Sequence, residues 1–563
     1  MGSDEIRSLS PGDVQATFCR ALVDTWSTVG VSHAFLAPGS RSTPLAVALS
    51  ADPRWTVEVL LDERSAGFAG LGYGIATGRP AVILCTSGTA AVHFHGAVVE
   101  ADLSCVPLIV VTADRPPELR DVGAPQTIDQ TKLYGNSVRW FHDPGVAHAD
   151  ASASWSSLAA RAVHRTRGSQ PGPVHLNLPF REPLLGRPIS LAEDLEARWS
   201  SEENVRISES TVDRFIGIAE GRRGVVIAGR GSSDAVLEVA RSLGWPVLSD
   251  ARGPQSEVVV RHFDSLLRDR RFADDQQPDV VLRVGEAPAS KVLGQWVSAS
   301  GARQIHLTED DRWFDADHRL YGRIRGRADD LLESLSRRSV AAVPAAWSQA
   351  WAEADEIAGR VIAGEISTAE LSGPVVARRF ASGLPVGSEL VVSSSMPVRD
   401  LEWFGGHVPH LRVHSNRGAN GIDGVLATAI GVAVGSGRTT GVLIGDVAFL
   451  HDSSSLAGLA GRSVDLRIMV VDNDGGGIFH FLPQAASLDP ATFEKLYGTP
   501  HGTDLVMLAR SHGLRVGSVV DGLGVEAFAR EAGPSVVVAR TDRASDVELH
   551  QRLHAAVSRA LRS

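Results

Sequence analysis

An acid, an amide and a backbone carbonyl stand where they could hold a divalent cation. Asp446 closes the apolar run 441–444, directly after Gly445, and Asp472-Asn473-Asp474 closes the run 466–471. Both runs are short, β-branched and followed by turn residues, so both read as buried strands. The 26 residues between Asp446 and Asn473 suffice for a loop, a helix around 453–461 and a return to a parallel strand. Asp446 and Asn473 then lie side by side at the carboxyl ends of two strands, where open α/β sheets bind ligands. A carboxylate, an amide oxygen and the backbone carbonyl of Gly475 suit a hard octahedral cation such as Mg²⁺, which keeps its other positions for water and phosphate oxygens. Gly475, Gly476 and Gly477 allow the backbone close to a diphosphate. Two ordinary strand ends carrying polar turn residues would leave the same pattern.

The elements that must position these groups belong to a long chain. At 563 residues it exceeds a single core and implies about three domains. Apolar residues make up 43 % and charged residues 21 %, ordinary for a globular enzyme, and a net charge of −11 excludes general nucleic-acid binding. Cationic residues are almost all arginine; the lysines are Lys132, Lys291 and Lys495. Three distant cysteines (Cys19, Cys85, Cys105) lack metal spacing and read as reduced thiols of a cytoplasmic protein. The polar, acidic start is no signal peptide, and no apolar stretch reaches the length of a membrane span.

An internal echo organises the halves. The stretch from Asp62, DERSAGFAGLGYGIATGRPAVILCTSGTAAV, parallels that from Asn420, NGIDGVLATAIGVAVGSGRTTGVLIGDVAFL. Each has a Gly/Ala-rich helix, Gly-Arg, an apolar strand and a polar strand end; Arg79 to Ser87 and Arg438 to Asp446 are both eight positions. So many helical glycines imply close approach to another element or subunit. Two related α/β domains follow, one kept for cation and diphosphate and one diverged. Boundaries fall at 1–187, a linker 188–210, a middle domain 211–342 and a last domain 343–563. The middle domain carries a near miss to a dinucleotide motif: Gly229 and Gly231 are followed by Asp234 where a third glycine belongs, with Asp250 about twenty residues on. An acid at that helix start opposes a pyrophosphate, so a Rossmann-like domain without nucleotide is expected.

The spacing of Gly445-Asp446 and Asn473 resembles the thiamine-diphosphate (ThDP) motif. PGSRSTPL, DERSAGF, TSGTA, ADRPPEL, SNRGANGIDG, GDVAFLHD and NDGGGIF together resemble one ThDP family along nearly the whole chain, the SEPHCHC synthases of menaquinone biosynthesis (MenD). The resemblance implies an α/β fold of three domains, pyrimidine-binding, Rossmann-like and diphosphate-binding, each a mostly parallel sheet flanked by helices. It implies a transferase that joins 2-oxoglutarate to isochorismate with loss of CO₂. ThDP then serves as electron sink, with Glu63 at its pyrimidine as a proton relay. By the same resemblance, Asp446, Asn473 and the Gly475 carbonyl ligate Mg²⁺ or Mn²⁺, and Ile422 props the cofactor, which Gly445, Gly476 and Ile478 also contact. Arg399, Arg417, Ser395 and Gln126 then lie near the 2-oxoglutarate end, and Ser40, Arg41, Arg115, Lys291 and Phe479 near isochorismate; arginine suits such carboxylates through paired hydrogen bonds. A homodimer or homotetramer with the site between subunits is implied too. Pro125 stands where the family often has Asn, and Asp472 and Asp474 replace members of an Asn-rich run. A different ThDP carboligase or decarboxylase, or a catalytically silent protein of this fold, are the alternatives.

Overall fold

The computed structural model describes residues 6–190 and 206–563; most of the expected linker, 191–205, lies outside them. Three sheets, each of six parallel strands, account for the architecture. The first contains β1 (His33–Leu36), β2 (Thr56–Val59), β3 (Ala81–Cys85), β4 (Leu108–Asp114), β5 (Trp140–His142) and β6 (Pro173–Pro179), in the order β2-β1-β3-β4-β6-β5. The middle sheet contains β7 (Gly224–Ala228), β8 (Val247–Ser249), β9 (Val259–Val260), β10 (Val280–Val284), β11 (Arg303–Thr308) and β12 (Leu320–Arg325), in the order β12-β11-β10-β7-β8-β9. The last contains β13 (Ser388–Val392), β14 (Leu411–His414), β15 (Thr440–Gly445), β16 (Leu466–Asp472), β17 (Arg515–Val519) and β18 (Ser535–Arg540), in the order β14-β13-β15-β16-β18-β17. Counted from its own first strand, the last sheet repeats the first, 2-1-3-4-6-5. The internal echo is therefore a repeat of topology.

The central strands β3, β4 and β16 are buried along their whole length, as parallel strands covered on both faces must be. Separate apolar clusters fill the two faces of the first sheet and the two faces of the last. The two glycine-rich helices, Glu63–Thr77 and Val425–Ser436, pack on each other within the chain. A Cβ at Gly72 would overlap the Thr428 carbonyl oxygen, and one at Gly431 the Ala69 carbonyl oxygen. The glycines thus serve close backbone approach between the repeated halves.

The middle sheet has the strand order of dinucleotide-binding folds, 3-2-1-4-5-6. Its details point elsewhere. Gly229 is pressed against the Glu286 carbonyl oxygen, and Asp250 is engaged by the guanidinium of Arg252 at 2.6 Å. The helix Ala346–Thr368 shares the core of this sheet through Trp347, Trp351 and Ile362, and Leu549, Leu553 and Val557 of the helix Arg543–Ala560 enter the same cluster.

One expected element is corrected. No α-helix spans 453–461: an α-helix starts directly at the strand end, Asp446–His451, and 3₁₀ turns follow at Ser453–Leu456 and Leu459–Gly461. Fully buried Asp452 breaks the run by accepting from Ala427 N (3.0 Å) and Ser455 Oγ (2.9 Å), and Gly458 turns left-handed at φ 74°.

Candidate active site

Strands β15 and β16 run parallel in direct register, Gly445 opposite Val471, so their carboxyl ends meet. Asp446 is 2 % exposed. Its Oδ2 accepts from the backbone N–H of Asn473 (3.0 Å) and of Gly475 (2.9 Å), and its Oδ1 from Val447 N–H (2.7 Å). Burial pushes this carboxyl above its ordinary value, against the pull of those N–H groups. Asn473 Oδ1 is buried and has no hydrogen-bond partner among the described residues. A buried carboxylate without a guanidinium or ammonium partner, beside an orphaned amide oxygen, is a donor set that fits a hard cation. Gly475, at φ 138°, accepts from Gly477 N–H at 3.0 Å through its carbonyl. A Cβ at Gly475 would overlap the Gly498 carbonyl oxygen and one at Gly476 that of Tyr497. These two glycines let the chain fold back on itself under the site.

The returning segment carries a residue that sequence reasoning missed. His501 Nδ1 accepts from Thr503 N–H at 3.0 Å, which leaves the proton on Nε2. That nitrogen lies 3.5 Å from Asp446 Oδ2 and 3.9 Å from Asp472 Oδ1. Asp474 Oδ1 accepts from His501 N–H (2.9 Å) and Gly502 N–H (2.8 Å), which hold its carboxyl below the usual range. The added acid therefore ties down the returning loop. Histidine in a TPHGTD stretch, 28 residues beyond Asn473, offers no spacing signal by itself.

At the neighbouring strand ends lie the cations. Ser395 follows β13 at φ 72°, a left-handed backbone rare outside glycine, and caps the helix Met396–Phe404. Arg399 on that helix donates to the Ser395 carbonyl at 2.6 Å. Ser394 Oγ donates to the Asn416 carbonyl (3.3 Å), and Gly445 N–H to Ser393 Oγ (3.4 Å), so the ends of β14, β13 and β15 are stitched together. Burial, with the like charges of Arg252 and Arg399, pushes the Arg417 guanidinium below its ordinary value. Three guanidiniums gathered in a half-buried space favour an anion. Beside them Glu402 accepts from Ala289 N–H at 2.8 Å; burial and the nearby Asp250 raise its carboxyl to about 8. Lys291 is exposed, two residues beyond Ala289, at the start of the helix Lys291–Ala299. Half-buried Ile422 packs on the core of the last sheet; Ile478 and Phe479 lie on the 3₁₀ turn Gly477–Phe481, with the Phe479 ring against Tyr497.

A second group of the expected residues gathers at the carboxyl edge of the first sheet. Arg41 is buried; its N–H donates to Thr86 Oγ1 (3.2 Å) and its guanidinium to the Phe180 carbonyl (3.0 Å) and Glu182 (3.4 Å). Ser40 beside it is exposed. Arg115 donates to the Pro125 carbonyl at 3.1 Å. Gln126, at φ 56°, donates to the Ser87 carbonyl (3.2 Å) and accepts from Ser87 Oγ (3.0 Å). Glu63 is half-buried in the first turn of its helix, whose neighbours Asp62 and Arg64 bond Ser454 Oγ and the His451 carbonyl, each at 2.7 Å. Among the described residues no hydrogen bond or ion pair joins Ser40, Arg41, Arg115 or Gln126 to the Asp446–Arg417 edge.

Residues 16–133 match the family described as thiamine pyrophosphate enzyme, N-terminal TPP binding domain. Residues 193–392 match the middle domain of thiamine pyrophosphate, and 405–539 the C-terminal TPP binding domain. The chain is 40 % identical to a 2-succinyl-5-enolpyruvyl-6-hydroxy-3-cyclohexene-1-carboxylate synthase of Rubrobacter xylanophilus, over 95 % of this chain and 97 % of that one. It is 38 % identical to proteins of the same name from Chloroflexus aurantiacus, over 96 % of both chains, and Saccharopolyspora erythraea, over 98 % of this chain and 100 % of that one. With both strand edges and all three domains accounted for, the chain belongs to the 2-succinyl-5-enolpyruvyl-6-hydroxy-3-cyclohexene-1-carboxylate (SEPHCHC) synthase family, the thiamine-diphosphate-dependent transferases of menaquinone biosynthesis.

Proposed function

We propose that this protein decarboxylates 2-oxoglutarate and adds the four-carbon remainder to isochorismate in a 1,4-addition, releasing CO₂ and SEPHCHC in the cytoplasm. The observation that carries the reading is the Asp446 carboxylate and the orphaned Asn473 Oδ1 at the ends of β15 and β16, with Arg399 and Arg417 at the ends of β13 and β14 in the same sheet. Bound ThDP supplies an electron sink for the carbon that loses CO₂. Asp446, Asn473 and the Gly475 carbonyl would hold Mg²⁺, or Mn²⁺ in its place. Gly445 leaves the backbone open beside the diphosphate, Gly476 lets the chain fold back under the site, and Ile422 and Ile478 supply apolar walls. Glu63 holds or passes a proton at the cofactor's pyrimidine. Arg399 and Arg417 bind carboxylates of the 2-oxoacid through paired hydrogen bonds, with Ser395 and Gln126 orienting it. Ser40, Arg41, Arg115 and Lys291 receive the two carboxylates of isochorismate, and Phe479 packs beside its ring.

The domains 1–187, 211–342 and 343–563 divide these tasks. A homodimer or homotetramer in which one subunit's Glu63 serves its partner's Asp446 site fits the lack of any hydrogen bond or ion pair, among the described residues, between Ser40, Arg41, Arg115 or Gln126 and the Asp446–Arg417 edge of the same chain. Mixing the inactive variants Glu63→Gln and Asp446→Asn tests that arrangement: restored turnover is expected, and none after subunit exchange contradicts it. Substrate choice tests the chemistry. CO₂ release from 2-oxoglutarate but not from pyruvate is expected, and the reverse selects a different carboligase.

A further inference from the structure

Glu100 lies in the last turn of the helix His95–Leu103 and is 1 % exposed. A carboxylate there opposes the helix dipole, and its burial demands strong donors. They come from a segment 318 residues away. Gly418 N–H donates to Oε1 at 2.8 Å, and Ala419 N–H and Asn420 N–H donate to Oε2 at 2.7 and 2.9 Å. Ser104 Oγ adds a fourth bond to Oε1 at 2.8 Å. Three successive backbone N–H groups aimed at one carboxylate form an anion nest.

The helix belongs to the first sheet's unit and the nest to the last. Arg417 directly precedes the nest and Ile422 follows it by two residues. On the other side of Arg417, Asn416 donates to Thr428 Oγ1 at 2.9 Å and accepts from Ser394 Oγ. Arg417 is thus strung between two anchors, in a field shared by Arg252, Arg399, Glu402 and Asp250. The fit at Gly418 has no slack: a Cβ would come 2.8 Å from Ser104 Oγ and 3.0 Å from Leu103 Cβ.

We infer that Glu100 is a positioning residue for the reaction: its carboxylate fixes the backbone at 418–420 and so holds Arg417 where it receives a carboxylate of the 2-oxoacid. This rests on the role given to Arg417 above. The test uses the full-length protein loaded with ThDP and Mg²⁺, with CO₂ release from 2-oxoglutarate as the assay. Glu100→Gln keeps the shape but turns an amide N–H₂ toward the nest. It is expected to lower kcat/KM about 100-fold, since misplacement by about 1 Å costs that much. The loss falls mostly in KM, while the melting temperature stays within a few degrees. In an Arg417→Lys background the same change is expected to cost less than about 3-fold, because the two residues act as one unit. Unchanged kinetics in Glu100→Gln, or a loss that simply multiplies with that of Arg417→Lys, overturns the inference. If Glu100→Gln fails to fold, Gly418→Ala displaces the loop from the other side; the same KM-weighted loss supports the inference and wild-type kinetics overturns it. A wild-type protein that releases no CO₂ from 2-oxoglutarate defeats the proposed function and this inference together, whereas an active wild type with an indifferent Glu100→Gln defeats this inference alone.

Discussion

Glu63 and His501 carry the sharpest predictions at the scale of single residues. Glu63 sits half-buried at a helix start, and the proposed function gives it a proton to hold or pass at the cofactor. Glu63→Gln is expected to cut turnover about 10²- to 10⁴-fold while ThDP and Mg²⁺ still bind; unchanged turnover in steady-state assays contradicts the relay. His501 Nε2 lies 3.5 Å from Asp446 Oδ2 and 3.9 Å from Asp472 Oδ1, close enough to serve as an outer partner to the proposed metal ligand Asp446. Loss of such a partner typically costs 10- to 100-fold in metal affinity. Calorimetric titration of His501→Ala with Mg²⁺ is expected to show about that drop, and wild-type affinity contradicts it. Neither His501 nor Glu100 was legible in the sequence, because each acts on a group that only the fold brings near.

At the scale of elements, strand ends were legible and the connections between them less so. The runs before Asp446 and Asn473 announce buried parallel strands through β-branched residues and abrupt turns, and their register places both groups together. The segment after Asp446 has helix-forming composition, yet buried Asp452 caps the helix Val425–Ser436 instead of continuing its own. A tertiary hydrogen bond of that kind leaves no local signal. The glycine-rich helices announce a close contact but not its partner, which is the repeated half of the same chain. Gly431→Ala would drive a methyl group into the Ala69 carbonyl. Such overpacking costs about 1–3 kcal/mol or more, and backbone cannot yield as a side chain does. Denaturant unfolding is expected to show at least that loss; a variant as stable as wild type contradicts the intrachain packing.

At the scale of the molecule, the middle unit meets the last through an apolar core shared with Leu549, Leu553 and Val557 and through a buried acid, Glu402. Arg252 bridges Asp250 and Glu286, and Ala289 N–H reaches Glu402 on the helix that carries Arg399. Burial first, then Asp250, raises the Glu402 carboxyl to about 8. The folded protein therefore keeps this proton where the unfolded chain, near 4.5, has lost it. The stabilising contribution is full below about pH 4.5 and is lost as pH rises through about 8. Glu402→Gln is expected to lose less stability than wild type as pH rises from 5 to 9; parallel stability curves contradict the buried, protonated acid.

On the proposed function, the two strand edges form one ThDP and metal site for joining a 2-oxoacid to isochorismate. The most direct measurement incubates the protein with ThDP, Mg²⁺, 2-oxoglutarate and isochorismate, omits each in turn, and follows isochorismate loss and product mass. The account predicts loss that requires all four and a product equal to both substrates minus CO₂. Release of CO₂ without consumption of isochorismate, or no reaction with ThDP bound, would contradict it.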